Sequence, residues 1–211
     1  MTSKTDTILA FARRAPVIPV VTIEDARRSI DLAQALVRAG LPVIEVTLRT
    51  GAALDAIAAM TKAVPDAVIG AGTVTRASHI TDAVDAGAKF IVSPGTPTRL
   101  AEALAEAPVP VLPGASTATE AMTLADLGFE VLKFFPAEAS GGVAWLKAIA
   151  GPLPHLKFCP TGGLDPKDAA NYLALPNVVC VGGAWMAPSK AVADGDFATV
   201  ERLAGEAASL R

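Results

Sequence analysis

FEVLKFFPAEASGGVAWLKAIAGPLPHLKFCPTGG, residues 129–163, reads as strand, helix, strand, and the whole fold can be read outward from it. The apolar run at 129–137 gives way to a helical pattern at 142–150, and a second apolar run follows at 157–163. With the two-residue strand period, Val131, Lys133 and Phe135 share one face while Leu132 and Phe134 share the other. Lys133 therefore has apolar neighbours on both sides along its own face. A buried ammonium is costly unless paired, and one that sheds its proton becomes an amine nucleophile. Lys133 is thus the first candidate for covalent chemistry. A strand lysine can instead pack its stem inside and hold its head in water, so its company has to decide.

The same alternation fills the rest of the chain. Apolar runs at 17–22, 42–48, 68–74, 89–95, 109–116 and 178–185 join the two above. Helical patterns are expected at 25–39, 52–63, 76–86, 98–106, 117–127, 166–174 and 196–209, with an additional first helix near 3–14. Gly40, Gly87 and Gly128 each stand just after a helix and before the next strand, where C-terminal caps belong. Eight unbroken βα units predict an α/β fold: a single (β/α)8 TIM barrel over residues 1–211 with a short N-terminal helix. The alternative is an open Rossmann or flavodoxin-like sheet. Its dinucleotide fingerprint is missing, because GAGTVT at 70–75 lacks the third glycine and the later acidic residue.

Composition narrows the function. The chain is 52% hydrophobic and 18% charged, enough to bury a large core. A net charge of -3 with 5% aromatic residues lacks the basic, aromatic-laced stripe of a nucleic-acid surface. No window approaches the roughly 18 apolar residues of a membrane span, and the N-terminus does not read as a signal peptide. Cys159 and Cys180 lie in expected strands without CxxC spacing, which predicts reduced thiols in a cytoplasmic protein. His79 and His155 stand apart from any metal-ligand cluster, so no metal or other cofactor is expected.

Polar residues gather where the strands end. Glu45, Thr47 and Arg49 share one face of the second strand and are expected to point into the barrel. Thr73, Pro94, Lys133 and Thr161 fall late in strands three, four, six and seven, at the C-terminal face where such barrels carry their sites. Read structurally, Glu45 with Arg49 would be a buried ion pair, and the threonines would cap the following helices. PTGGLDP at 160–166 and VGGAW at 181–185 place two glycine pairs on adjacent strand ends. Glycines there let backbone N–H groups approach an anion, helped by a helix N-terminus. Tight turns would also call for glycine.

These stretches resemble the class I aldolases that cleave 2-keto-3-deoxy-6-phosphogluconate and often 4-hydroxy-2-oxoglutarate. The resemblance covers nearly the whole chain through IEVTLRT (44–50), IGAGTV (69–74), FIVSPGT (90–96), LPGAST (112–117), LKFFPAEASGG (132–142), FCPTGG (158–163) and VGGAW (181–185). It implies a Schiff base between Lys133 and pyruvate, Glu45 as general acid and base, and Arg49 as the carboxylate-binding residue. It further implies that Thr73, Pro94, Phe135 and Thr161 line the pyruvate pocket, and that Gly162, Gly163 and Gly183 form the phosphate site. Ala184 departs from the pattern, since the family usually has serine there. The resemblance also implies a cytoplasmic homotrimer acting on a small 2-keto acid without a metal. Other readings of the residues alone are a phosphosugar epimerase or isomerase, or a non-catalytic phosphometabolite-binding barrel.

Overall fold

A computed structural model describes residues 3–210. Helix α1 (Lys4–Ala12) precedes strands β1 (Val17–Val21), β2 (Val43–Thr47), β3 (Val68–Gly72) and β4 (Phe90–Val92), which alternate with helices α2 (Ser29–Arg38), α3 (Ala53–Ala63) and α4 (Ala77–Asp85). Helix α5 (Thr98–Ala105) leads to β5 (Val111–Leu112) and β6 (Gly114–Ala115), then α6 (Ala118–Asp126), β7 (Val131–Phe134) and α7 (Gly142–Ile149). The chain continues through β8 (Lys157–Pro160), α8 (Pro166–Leu173), β9 (Val181–Gly183), α9 (Ser189–Asp194) and α10 (Phe197–Ala208).

All described strand pairs are parallel. One curled sheet has the order β5-β4-β3-β2-β1-β9, and a second has the order β6-β7-β8. The run expected as one strand at 109–116 is divided at Pro113, which has no N–H for the ladder. Below that break Val111 and Leu112 pair with β4, and above it Gly114 and Ala115 pair with β7. The Pro113 carbonyl still accepts from the Lys133 amide at 2.9 Å. Opposite this seam, bridges between Phe158 and Val178 and between Thr161 and Gly182 connect β8 to the β9 segment.

The strand period sorts the side chains into two layers. Ile18, Val43, Phe90, Val92, Leu112, Val131, Cys159 and Cys180 form an inner cluster with Ile8 and Ala12 of α1. Phe11 of α1 meets the Phe90 ring at 6.2 Å between centroids, so the first helix packs against this inner cluster. Alternate residues such as Ile44, Val46, Ile69, Leu132, Phe134 and Phe158 face the helices, where they meet Leu36, Ile57, Leu104 and Leu146. Trp145 of α7 stacks on Phe134 at 4.4 Å and meets Phe158 edge-on at 5.5 Å. The fully buried Phe134 and Phe158 each contribute about 1.5–3 kcal/mol.

Helix ends follow the expected punctuation: Gly40, Gly87 and Gly128 have φ of +93°, +94° and +87°, a conformation only glycine adopts readily. The helix expected from 25 begins as a tight 3-10 turn over Ala26–Arg28, and the α-helix starts at Ser29. Helix α9 was not expected. It has six residues, too few for a hydrophobic period to show, and it stops at Gly195 with φ +74°.

Candidate active site

Lys133 and Glu45 face one another in the inner layer. The lysine sits beyond Val131 on the inner face of β7, and Glu45 sits beyond Val43 on the inner face of β2. Lys133 Nζ lies 3.0 Å from Glu45 Oε1 and 3.3 Å from Oε2, with the two residues only 4% and 3% exposed. Room for the carboxylate comes from Gly72, where a Cβ would fall 2.1 Å from Glu45 Oε1. The residues alone left open a buried ion pair between Glu45 and Arg49. The structure corrects that alternative: the buried partner of Glu45 is Lys133. Two well-packed apolar side chains would serve stability at least as well as this buried pair, so its chemistry points to function.

Arg49 is also placed differently from the expectation. Strand β2 ends at Thr47, and the Arg49 amide turns back to the Thr47 carbonyl at 2.8 Å. The two-residue period therefore stops before Arg49, whose side chain is exposed at the rim instead of pointing into the inner layer. There its Nε donates to Thr73 Oγ1 at 3.2 Å. Thr73 follows the end of β3 with φ +61°, a strained value for a β-branched residue. His79 helps hold this turn, because its Nδ1 accepts from the Thr75 N–H at 3.4 Å. Burial, aided by the nearby Arg76 charge, lowers the His79 pKa and favours the neutral ring that can accept.

A cavity of about 240 Å³ opens at this end of the strands. Arg49, Phe135, Thr161, Gly162, Gly163, Gly183 and Ala184 all line it, together with Trp185. The Phe135 ring centroid is 5.4 Å from Lys133 Nζ, which links the cavity wall to the ion pair. Thr161 is buried, and the absent side chain of Gly182 makes room for its hydroxyl. Pro94 does not line this cavity. Its carbonyl instead lies over Gly114, the register partner of Lys133, where a Cβ would come within 2.5 Å.

The glycine turn after β8 has φ of +98° at Gly162 and +83° at Gly163. Helix α8 starts just beyond it, but its first N–H groups are already taken. Asp165 accepts from Lys167 N at 2.7 Å and Asp168 N at 3.0 Å, and these backbone bonds hold its pKa below the ordinary range. The expected help from a helix N-terminus is therefore largely spent on Asp165, and an anion here would depend on the backbone of the turn and of the β9 loop.

Ser93 and Thr96 join the site unexpectedly. Ser93 Oγ accepts from Gly114 N at 3.1 Å and donates to Thr96 Oγ1 at 2.9 Å, while Thr96 Oγ1 donates to Gly114 O at 2.8 Å. The two hydroxyls thus clamp the backbone paired with Lys133. The signal was the SPGT stretch at 93–96, where two hydroxyl residues flank a turn. Among the described residues, no three His, Cys, Asp or Glu side chains converge to hold a metal ion.

A family model described as KDPG and KHG aldolase matches residues 8–203. The chain is 49% identical over 194 residues to the 2-dehydro-3-deoxy-phosphogluconate aldolase of Pseudoalteromonas atlantica, covering 92% of this chain and 90% of that one. A crystal structure of the Legionella pneumophila KDPG aldolase, with pyruvate captured at low pH as a covalent carbinolamine, superposes with a TM-score of 0.93. It shares 40% identity over 99% of both chains. The Zymomonas mobilis 2-keto-3-deoxy-6-phosphogluconate aldolase with 3-phosphoglycerate gives 0.92 at 43% identity, covering 98% of this chain and 97% of that one.

Proposed function

The chain belongs to the KDPG and KHG aldolase family, and we propose that Lys133 is the residue through which it forms a Schiff base, with Glu45 as its proton-transfer partner. The enzyme is a carbon–carbon lyase that splits 2-keto-3-deoxy-6-phosphogluconate into pyruvate and glyceraldehyde 3-phosphate. The observation that carries the residue assignment is the buried Lys133–Glu45 pair beside a cavity lined by Arg49 and the glycine turns.

A proton passing from Lys133 Nζ to Glu45 frees the amine without moving net charge in or out of the pocket. The amine attacks the C2 carbonyl, and Glu45 returns its proton to the carbinolamine hydroxyl, which leaves as water to give a protonated imine and a carboxylate again. Glu45, directly or through one water, takes the proton of the C4 hydroxyl. The C3–C4 bond then breaks, its electron pair moves into the imine, and the aldehyde leaves. Protonation of the enamine at C3 and hydrolysis release pyruvate and restore Lys133. Arg49 binds the carboxylate with its planar fork, held by Thr73 Oγ1, and this fixes C2 toward Lys133. Pro94, Phe135 and Thr161 shape the pyruvate end. Gly162, Gly163, Gly183 and Ala184 receive the phosphate. 4-Hydroxy-2-oxoglutarate, which lacks the phosphate, enters through the same Schiff base.

The whole chain then forms one (β/α)8-barrel domain, a reading supported by the hydrogen bond from Lys133 N to Pro113 O and by the bridges from β8 to the β9 segment. A homotrimer and a cytoplasmic location follow from the family resemblance. No described helix is long and apolar enough to cross a membrane. The direct test incubates the protein with each substrate and follows pyruvate with a coupled dehydrogenase. Pyruvate and aldehyde are expected in equal amounts, and Lys133→Ala should release none. Retained cleavage in Lys133→Ala would overturn the assignment.

A further inference from the structure

We propose that Tyr172 and Glu138 are positioning residues for the phosphorylated end of the substrate, their hydrogen bond holding the Gly162–Gly163 turn at a fixed distance from Lys133. The inference rests on reading that turn as the anion site. The two halves of the site come from consecutive units, Lys133 from β7 and the glycine turn from β8. A substrate sets the separation between its C2 and its phosphate, so the two turns must be held together.

The backbone supplies part of that hold. Ala137 N donates to Thr161 O at 2.8 Å, and Glu138 N donates to Gly162 O at 3.2 Å. Gly163 then lies directly on the Glu138 stem, where an added Cβ would come within 2.8 Å of Glu138 Cβ. Glu138 itself is exposed, and among the described residues it forms no ion pair. Without another partner its side chain could rotate outward and carry Cγ, which would lie 3.0 Å from an added Gly163 Cβ, away from the turn.

Tyr172 prevents this. Its hydroxyl donates to Glu138 Oε1 from the last turn of α8, the helix that follows the glycine turn. The tyrosine is 1% exposed, so the donor has no freedom to wander. Burial first, and then the Glu138 carboxylate, push the phenol pKa far above its ordinary value and keep it a donor. The PAEASGG turn leaves space for the contact at Gly142, where a Cβ would sit 3.0 Å from the hydroxyl. The pair borders an open cleft of about 370 Å³ shared with Asp168 and Asn171, separate from the cavity that Arg49 lines. A carboxylate near an anion site opposes anion binding by charge. Its presence there is accounted for by holding the turn.

The test compares 2-keto-3-deoxy-6-phosphogluconate with 4-hydroxy-2-oxoglutarate in Tyr172→Phe, which removes only the hydroxyl. KM for the phosphorylated substrate should rise about tenfold with kcat little changed, the loss expected for one hydrogen bond to a charged group. Constants for the unphosphorylated substrate should stay close to the parent's. Glu138→Gln keeps an oxygen that accepts from Tyr172 and removes the opposing charge, so it should preserve or strengthen the phosphate preference, whereas Glu138→Ala loses the strut and should weaken that preference. Equal loss on both substrates, or an unmoved ratio, would overturn the strut. Inorganic phosphate separates the two layers of the argument. If it competes with the phosphorylated substrate in the parent while Tyr172→Phe leaves the ratio unmoved, only the strut fails. If it does not compete, and Gly163→Ala also leaves the ratio unmoved, the anion site and the strut fall together.

Discussion

Glu45→Gln changes one atom type at the centre of the site and separates charge from shape. In the parent, Nζ lies 3.0 Å from Oε1 and 3.3 Å from Oε2. Glutamine keeps the volume and one carbonyl oxygen, so one hydrogen bond from Lys133 survives. The second oxygen becomes an amide nitrogen that cannot accept, and the counter-charge disappears from a pocket where Lys133 is 4% exposed. Removing one partner of a buried pair costs on the order of 3–5 kcal/mol, and the retained acceptor places this variant near the lower end, about 3 kcal/mol. Turnover should fall about 10²-fold or more, because the amide cannot exchange protons with the C4 hydroxyl or the enamine. The adduct with pyruvate should still be trapped by borohydride. Coupled pyruvate release, urea denaturation and mass analysis measure the three effects separately. Unchanged turnover would refute proton transfer by Glu45. Loss of folding with normal turnover in the folded fraction would make the pair structural.

Three further variants probe the walls of the site. Gly72→Ala puts a Cβ 2.1 Å from Glu45 Oε1, so it should displace the carboxylate and lower turnover as Glu45→Gln does; normal kinetics would contradict the contact. Arg49→Lys loses the planar fork and the bond to Thr73, and should raise KM for both substrates by about tenfold or more; a change confined to the phosphorylated substrate would move Arg49 to the other end of the site. Ala184→Ser adds a donor to the proposed anion site, where Asp165 already takes the first helix N–H groups. It should improve kcat/KM for the phosphorylated substrate by roughly ten- to a hundredfold, from a charge-assisted bond of about 1.5–3 kcal/mol. An unmoved ratio between the two substrates would show that the phosphate does not reach position 184.

The strand and helix succession was legible because each apolar run carries its own period and its own stop. Gly40, Gly87 and Gly128 mark three of those stops, and all three have the positive φ their places required. Lys133 was legible for a related reason, since an ionisable residue on an apolar face has few structural uses. Its partner was harder to see. Glu45 is 88 residues away, and the contact depends on β2 and β7 both turning the same parity of residues inward. Arg49 was misplaced because a period is a property of a strand, and the strand ends two residues earlier at Thr47. Pro113 looked like one more apolar-run residue, yet its missing N–H divides the ladder. The Ser93–Thr96 clamp and the Tyr172–Glu138 bond leave no local period at all. Each depends on turns from different βα units meeting, which only the assembled fold brings about.

The proposed turnover runs through a covalent bond between Lys133 and the keto acid. Borohydride reduction in the presence of pyruvate, followed by peptide mass mapping, tests that bond most directly. The expected result is irreversible loss of activity with a single reduced adduct on Lys133, no adduct in Lys133→Ala, and activity indifferent to chelators. Reduction that labels another lysine, or leaves the protein unlabelled and active, would contradict it.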